Sequence, residues 1–262
     1  MESTSKVYSG SDYHDHFNPE SYLNHYYGSA EGPTEEEEGV NPFIFQSLHR
    51  VFYEDGVSGD RLIDIGTGPC IYSFLSACPN FNEIIATDFT EANRNALKRW
   101  VKKEPGCFDW TPIIKHVCNL EGHSDVEKRE NMLRDKIKDV LFCDVHQAKP
   151  LGDVELAPFD CLTTCFCLEA ACNNKDEYLK CLKNMATLLK SGGTFVQIGE
   201  PLKFYQVGDK RFAGFAADET FIKSALEQAG FTDLDCRFRR RTADAGKNID
   251  YEFTMAITAK KI

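Results

Sequence analysis

The chain has 262 residues, of which 42% are hydrophobic and 27% charged, a balance typical of a soluble globular protein. It contains no apolar run near the roughly 20 residues of a membrane-spanning helix, and residues 1–6 lack the pattern of a secretory signal peptide. The formal net charge of −11 argues against a nucleic-acid substrate and is compatible with a cationic small molecule. The composition therefore excludes a membrane-embedded protein and indicates a cytoplasmic one.

Eleven cysteines occur without a secretory signal, which predicts reduced thiols. Several of them lie between residues 161 and 172, but no Cys-x-x-Cys pair of the kind that holds zinc is present. We interpret the cysteines as small buried residues and expect no metal site.

The first 60 residues lack a strand pattern but are rich in aromatic side chains. Glu35 to Glu38 form a charged run that we expect to be solvated. Apolar residues then recur at helical spacing, which predicts an amphipathic helix. They are Phe43, Phe45, Leu48, Val51 and Phe52. We expect residues 1–58 to form a helical cover over the site of a single domain that spans residues 1–262.

The most informative motif is a short apolar run, residues 62–65, that ends in a glycine-rich turn at residues 66–69. A second apolar run ends at Asp88, about twenty residues after the turn. A strand, a Gly-x-Gly turn, a helix and an acid-tipped strand form a nucleoside-binding crossover, in which the acid accepts hydrogen bonds from the ribose. Tyr72 lies near the place of the third glycine of dinucleotide sites. This departure disfavours a nicotinamide-dinucleotide dehydrogenase and favours S-adenosylmethionine.

Strands and helices alternate along the rest of the chain. The predicted strands are residues 140–145, 160–166, 194–198, 231–239 and 251–260. The predicted helices begin at Thr90, near residue 124, at Asn174 or Asp176, and at Asp218. We expect the third helix to include Leu188 and Leu189 and to stop at residues 191–193. The alternation predicts a mostly parallel, doubly wound α/β sheet of Rossmann-like type with helices on both faces.

Several longer segments occur together in a specific order. They are Tyr22 with Tyr26 and Tyr27, residues 63–72, residues 102–105 with 109–110, residues 143–145, and residues 168–172. This combination resembles the nicotinamide, phenylethanolamine and indolethylamine N-methyltransferases of animals over nearly the whole chain. The resemblance implies the class I methyltransferase fold with an antiparallel last strand. It also implies S-adenosyl-L-methionine as the methyl donor and S-adenosyl-L-homocysteine as the product.

The resemblance assigns a donor site position by position. It comprises Tyr22, Tyr27, Gly66, Thr67, Gly68, Tyr72, Asp88, Asn93, Asp144, Val145 and Cys165. In the family, the N-terminal tyrosines close over the donor, and the tyrosine matched by Tyr72 contacts the methionine carboxylate. The acid matched by Asp88 binds the ribose, and the residues matched by Asp144 and Val145 contact the adenine. Cys165 stands where a relative carries threonine.

The resemblance also assigns an acceptor site. Glu169 and Glu219 match acids that handle the substrate amine, and Tyr22 is a lid tyrosine that touches both substrates. The remaining acceptor positions are Tyr13, Phe166, Glu200 and Tyr205. The nicotinamide enzyme has an aspartate at the position of Gly199 and a serine at that of Gly214, so Glu200 could substitute for the aspartate. Asn248 or Asp250 would supply a last polar contact.

An aliphatic amine is mostly protonated at neutral pH and cannot attack a methyl group in that form, whereas a pyridine nitrogen needs no base. The pair Glu169 and Glu219 therefore favours a small arylalkylamine as acceptor, with glutamate accepting its proton. Nicotinamide or another pyridine is the alternative acceptor. An alternative of another class is a catalytically silent protein that binds S-adenosylmethionine and regulates a partner. We expect a monomer that binds neither nucleic acid nor a membrane.

Overall fold

The structure, a computed structural model, describes residues 6–28, 40–240 and 251–262. The strands are β1 (Val7–Tyr8), β2 (Arg61–Ile65), β3 (Glu83–Asp88), β4 (Ile137–Phe142), β5 (Phe159–Cys165), β6 (Leu189–Gly199), β7 (Phe204–Val207), β8 (Lys210–Ala213), β9 (Phe231–Arg240) and β10 (Phe253–Lys261). The helices are α1 (Tyr13–His16), α2 (Pro19–Tyr27), α3 (Val40–His49), α4 (Tyr72–Leu75), α5 (Glu91–Val101), α6 (Thr111–Leu120), α7 (Val126–Lys136), α8 (Leu168–Ala171), α9 (Lys175–Ala186) and α10 (Glu219–Gln228). The predicted acidic run Glu35 to Glu38 lies outside the described residues.

The larger sheet has the strand order β4-β3-β2-β5-β6-β10-β9. Neighbouring strands from β4 to β6 are parallel, and β10 is antiparallel to both β6 and β9. The strand order reverses between β2 and β5, which is where open α/β sheets bind ligands at the carboxyl ends of their strands. The predicted doubly wound sheet with an antiparallel last strand is confirmed.

The central strands are apolar because helices cover both faces of the sheet. Along β2, Leu62 packs into the core on one face, and Ile63 and Ile65 pack into the core on the other. All three side chains are fully buried. Asp64 lies on the same strand and is also fully buried, so its carboxylate needs partners inside the protein.

Side-chain caps fix the helix starts that sequence signals predicted. Thr90 accepts a hydrogen bond from the Asn93 N–H at the start of α5, and Asp218 accepts one from the Phe221 N–H at the start of α10. Asn174, and not Asp176, caps α9. Of the described helices, none is long and apolar enough to cross a membrane.

The prediction that the helix starting near Asn174 continues to Leu189 is wrong. Helix α9 ends at Ala186, and Leu189 begins β6, where it pairs with Phe159. The Leu188 carbonyl accepts a hydrogen bond from the Phe159 N–H at 2.8 Å. Apolar residues at positions 188 and 189 fit a helix by spacing, but the sheet offers them backbone partners and complete burial of Leu189.

The expectation that residues 1–60 contain no strand is also wrong, because β1 pairs in parallel with β8. Strands β1, β8 and β7 form a separate small sheet. Strands β7 and β8 form an antiparallel hairpin, and two further hydrogen bonds join this hairpin to α1 and α2. The Tyr26 hydroxyl donates to the Gln206 carbonyl at 2.8 Å, and Lys210 Nζ donates to the His16 carbonyl at 3.3 Å. The N-terminal helices α1 and α2 are therefore tied to β7 and β8, which lie in the last quarter of the chain.

Candidate active site

A cavity of about 650 Å³ lies where the carboxyl ends of β2 to β6 meet. All but one of the predicted site residues line it. They are Tyr13, Tyr22, Tyr27, Gly66, Thr67, Gly68, Tyr72, Asp88, Asn93, Asp144, Val145, Cys165, Phe166, Glu169, Glu200 and Tyr205. A cavity of this size is within the range of pockets that bind small molecules. One enclosed space can thus hold a nucleoside-sized ligand and a second, smaller one.

The glycine turn after β2 requires glycine for two different reasons. Gly66 and Gly68 have φ values of +72° and +63°, a conformation that favours glycine. A Cβ on Gly66 would also lie 2.5 Å from Cys167 Sγ, whereas one on Gly68 would meet open space. The Gly68 N–H donates to Asp88 Oδ2 at 2.8 Å, which joins the turn to the end of β3.

The carboxylate of Asp64, on β2, supports this turn through hydrogen bonds. The sequence patterns had assigned no role to this residue. Its Oδ2 accepts a hydrogen bond from Thr67 Oγ1 at 2.7 Å, and its Oδ1 accepts one from Thr163 Oγ1 on β5. Burial raises the pKa of Asp64 to about 7, although the hydroxyl donors lower it. An acid within an otherwise apolar strand was the available sequence signal, because a buried carboxylate requires dedicated partners.

Asp88 is held by four donors at the end of β3. Oδ2 accepts from Gly68, and Oδ1 accepts from the N–H and hydroxyl of Thr90 at 2.8 and 3.0 Å and from Asn93 Nδ2 at 3.1 Å. Burial raises the pKa of Asp88, and the four hydrogen bonds oppose this rise. Asn93 Oδ1 is buried and has no hydrogen-bond partner among the described residues. This unpaired oxygen beside Asp88 fits a ligand that supplies hydroxyl donors, such as a ribose.

The loop after β4 forms the next wall. Asp144 Oδ1 accepts a hydrogen bond from the His146 N–H at 3.0 Å, and Asp144 Oδ2 accepts one from Gln147 Nε2 at 3.1 Å. The Val145 carbonyl accepts from Asn184 Nδ2 on α9 at 2.8 Å. A fixed carboxylate next to the buried Val145 side chain suits a flat heterocycle that carries an amino group.

Aromatic side chains from the N-terminal cover close the cavity. Tyr27 packs against Tyr72 with ring centroids 5.3 Å apart and against Tyr22 at 6.0 Å, and side-chain hydrogen bonds link the three. Burial raises their pKa well above the ordinary value, so they are neutral hydrogen-bond donors near pH 7. Tyr13 and Tyr205 meet through their hydroxyls at 2.8 Å.

Glu169 on α8 faces the same cavity and is almost completely buried, with 3% of its surface exposed. Its Oε1 accepts a hydrogen bond from the Glu200 N–H at 2.6 Å, and its Oε2 has no hydrogen-bond partner among the described residues. Burial raises the pKa of Glu169 to about 7. A carboxylate with one free oxygen and such a pKa can accept a proton near neutral pH.

Gly199 leaves the space that the Glu169 carboxylate occupies. A Cβ on Gly199 would lie 2.7 Å from Glu169 Oε1 and 2.8 Å from Met255 Cε. Glu200, the next residue, lies buried at the cavity wall, and its Oε1 accepts a hydrogen bond from Thr254 Oγ1 at 2.8 Å. A larger side chain at position 199 would therefore have to displace Glu169.

Glu219 is the one predicted site residue that the structure does not bring to the cavity. It is the first residue of α10, and its carboxylate pairs with Arg240. An acid in the first turn interacts favourably with the partial positive charge at the helix N-terminus, which explains its position without a catalytic role. The described residues therefore do not place Glu219 at the cavity, and its assignment to the amine stays a prediction. The candidates Asn248 and Asp250 lie outside the described residues.

Comparison with known proteins identifies the family of this chain. The model of the NNMT/PNMT/TEMT family matches residues 5–262. The nicotinamide N-methyltransferase of Sus scrofa is 45% identical over 84% of both chains. The indolethylamine N-methyltransferase of Mus musculus is 43% identical over 88% of both chains. The phenylethanolamine N-methyltransferase of Sus scrofa is 40% identical over 85% of this chain and 80% of its own length.

Solved structures with much lower sequence identity share the fold. The magnesium protoporphyrin IX methyltransferase of Synechocystis with bound SAM has a TM-score of 0.59 at 11% identity and covers 95% of this chain and 94% of that one. The N-methyltransferase NodS of Bradyrhizobium japonicum has a TM-score of 0.54 at 14% identity, over 93% and 98% of the two chains. The full-length family match and the relatives at 40–45% identity together show that this chain belongs to the NNMT/PNMT/TEMT family and is an N-methyltransferase.

Proposed function

We propose that this enzyme transfers a methyl group from S-adenosyl-L-methionine to the nitrogen of a small arylalkylamine and releases S-adenosyl-L-homocysteine. The observation that carries the choice of acceptor is the buried Glu169 carboxylate, whose Oε2 faces no hydrogen-bond partner among the described residues. A buried acceptor without a donor is unfavourable unless a ligand supplies one. An alkylammonium group supplies both the hydrogen bond and the opposite charge.

The residues around the glycine turn fit the donor. Asp88 and the unpaired Asn93 Oδ1 would hold the ribose hydroxyls, and Asp144 with Val145 would hold the adenine. The neutral hydroxyls of Tyr22, Tyr27 and Tyr72 are suited to the methionine carboxylate. When bound, S-adenosylmethionine supplies an electrophilic methyl group on its sulfonium.

Glu169 would prepare the acceptor nitrogen. An aliphatic ammonium has no lone pair, so one proton must leave before the nitrogen can attack. The Glu169 carboxylate would first pair with the ammonium and then accept its proton at Oε2, directly or through a water molecule. The enclosed cavity would hold the two substrates in contact and exclude bulk water, which contributes through proximity and orientation.

The acceptor ring would lie among aromatic side chains. Phe166 and the hydroxyl-paired Tyr13 and Tyr205 line the same cavity as Glu169. Phe166 has a φ of +55°, an uncommon value for a residue with a large side chain, held in part by a hydrogen bond from its N–H to the Ile198 carbonyl at 2.9 Å. Such a strained, fixed aromatic wall next to a carboxylate suits an aromatic amine.

Nicotinamide or another pyridine is a second candidate acceptor. It is favoured by the relatives themselves, since the nicotinamide N-methyltransferases of Sus scrofa and Homo sapiens are 45% and 42% identical to this chain. A pyridine nitrogen would need no proton acceptor, so Glu169 would serve only to orient the ring.

We also propose that residues 1–262 form one methyltransferase domain, with residues 1–58 as its cover, and that it acts as a cytoplasmic monomer. The proposed reaction requires neither nucleic acid nor a membrane.

The proposal is tested with the purified protein and methyl-labelled S-adenosylmethionine. The panel contains tryptamine, phenylethylamine, phenylethanolamine, nicotinamide and quinoline, and products are identified by mass spectrometry. We expect labelled N-methyl alkylamines. Methylation confined to nicotinamide or quinoline would establish the pyridine alternative, and donor binding without any methylated product in the panel would refute both acceptor classes.

A further inference from the structure

His146 is a lining residue of the cavity that the sequence patterns did not single out. It follows directly after Asp144 and Val145 and is half-buried. Its backbone N–H donates to Asp144 Oδ1 at 3.0 Å. Its main chain is therefore part of the loop that would hold the adenine.

The imidazole of His146 connects this loop to α8 and α9. Nε2 lies 2.9 Å from the Ala171 carbonyl oxygen, and Nδ1 lies 3.6 Å from Cys181 Sγ on α9. A carbonyl oxygen only accepts hydrogen bonds, so Nε2 carries the proton of this bond. In the neutral ring Nδ1 is then the acceptor, and the Cys181 thiol donates to it. These two bonds fix both the tautomer and the orientation of the ring.

The bond to Ala171 stabilises the end of a very short helix. Helix α8 spans only Leu168–Ala171, and the last carbonyls of a helix have no partner within it. Cys172, the following residue, forms a side-chain hydrogen bond with Cys181, which gives the same end a second attachment to α9. The opposite side of α8 is held by the Phe215 N–H, which donates to the Glu169 carbonyl at 2.8 Å.

We propose that His146 is a positioning residue that couples the adenine loop to Glu169, so that donor binding at Asp144 and Val145 sets α8 for the acceptor amine. The inference rests on the proposed function, because it assigns Glu169 to the amine. A shift of the loop moves His146, and His146 is bonded to the helix that carries Glu169. The coupling is reciprocal, so amine binding strengthens donor binding by the same factor.

The test compares two polar substitutions that differ in reach. His146→Gln places an amide N–H near the position of Nε2 and can still donate to the Ala171 carbonyl, whereas His146→Asn is too short. Calorimetric titration measures the affinity for tryptamine with and without saturating S-adenosylhomocysteine, and the ratio of the two affinities is the coupling factor. Gln147→Ala is the matched control, since Gln147 also donates to Asp144 but the structure gives it no bond to α8.

We expect a coupling factor of about fivefold or more in the wild type, in the range typical of linked sites. His146→Asn should lower it to about onefold to twofold, while His146→Gln and Gln147→Ala keep at least half of it. If His146→Asn does not fold, Cys181→Ala, which removes the thiol that orients the ring, should lower the same factor. The proposal is overturned if both ligands bind His146→Asn more weakly but with the wild-type ratio, or if the wild-type ratio is one. Absence of tryptamine or S-adenosylhomocysteine binding to the wild type would instead refute the proposed function.

Discussion

Ionisation of Glu169 is expected to raise the activity of the enzyme and to lower the stability of its fold. The substitution Glu169→Gln separates these two effects. Glutamine keeps the oxygen that accepts the Glu200 N–H at 2.6 Å and has almost the same volume, but it cannot accept a proton. With a pKa of about 7, roughly one tenth of wild-type molecules carry an ionised Glu169 at pH 6 and nine tenths at pH 8. We therefore expect kcat/KM for an alkylamine to rise about tenfold between these pH values and then to level off.

The same pKa predicts the change in stability. Burial raises the pKa of Glu169 from 4.5 to about 7, so the folded protein binds the proton more tightly than the unfolded chain. Ionisation of Glu169 consequently lowers the stability of the fold. This cost is absent below pH 4.5, where the residue is protonated in both states, and is complete above about pH 7. At about 1.4 kcal/mol for each factor of ten in the protonation equilibrium, the full cost is roughly 3 kcal/mol.

Glu169→Gln should thus be more stable than the wild type at pH 8, by up to about 3 kcal/mol, and similar to it near pH 4.5. Alkylamine turnover at pH 8 should fall about 100-fold, the lower end for loss of a proton acceptor, and the remaining activity should lack the inflection near pH 7. Urea unfolding and initial-rate measurements at both pH values provide the comparison. Turnover within twofold of the wild type, or a stability difference that does not change with pH, would refute the reasoning.

Three further substitutions, one of them with a matched control, test other residues of the predicted site. Asp88→Asn should weaken S-adenosylhomocysteine binding at least about tenfold in calorimetry, since one charge-assisted hydrogen bond is worth about 1.5–3 kcal/mol, and unchanged affinity would remove Asp88 from the donor site. Gly66→Ala should lower both stability and donor affinity because its Cβ meets Cys167, whereas Gly122→Ala, at a φ of +77° with no atom near its Cβ, should lower stability alone. Equal donor affinities in these two glycine variants would contradict the role of the turn. Glu219→Gln should keep turnover within about twofold, since the residue lies outside the cavity, and a larger loss would restore it to the site.

The proximity of the glycine turn to Asp88 could be predicted from the sequence because the contacts that join them are local. The spacing from the Gly66 turn to Asp88 is set by one strand, one helix and the next strand, so sequence distance determines spatial contact. Caps at Thr90 and Asp218 are equally local, because each side chain bonds to an N–H three residues away. The resemblance to known methyltransferases then added Asp144, Val145 and the N-terminal tyrosines, which line the same cavity.

Long-range pairing explains what the sequence did not reveal. The two-residue β1 is too short for any periodicity and exists because β8, about two hundred residues away, offers it partners. Leu189 was assigned to a helix because helical spacing cannot register the partner strand that buries it. Glu219 was chosen by alignment, yet its helix turns the carboxylate toward Arg240. The pKa of Glu169 depends on its burial, which only the folded structure determines.

The central claim is that Glu169 makes the cavity an amine site. The most direct measurement is kcat/KM for tryptamine and for nicotinamide at pH 8, in the wild type and in Glu169→Gln. We expect the wild type to prefer tryptamine, and the substitution to reduce tryptamine methylation about 100-fold while changing that of nicotinamide only a few-fold. A wild type that methylates nicotinamide alone, or a substitution that affects both acceptors equally, would contradict the account.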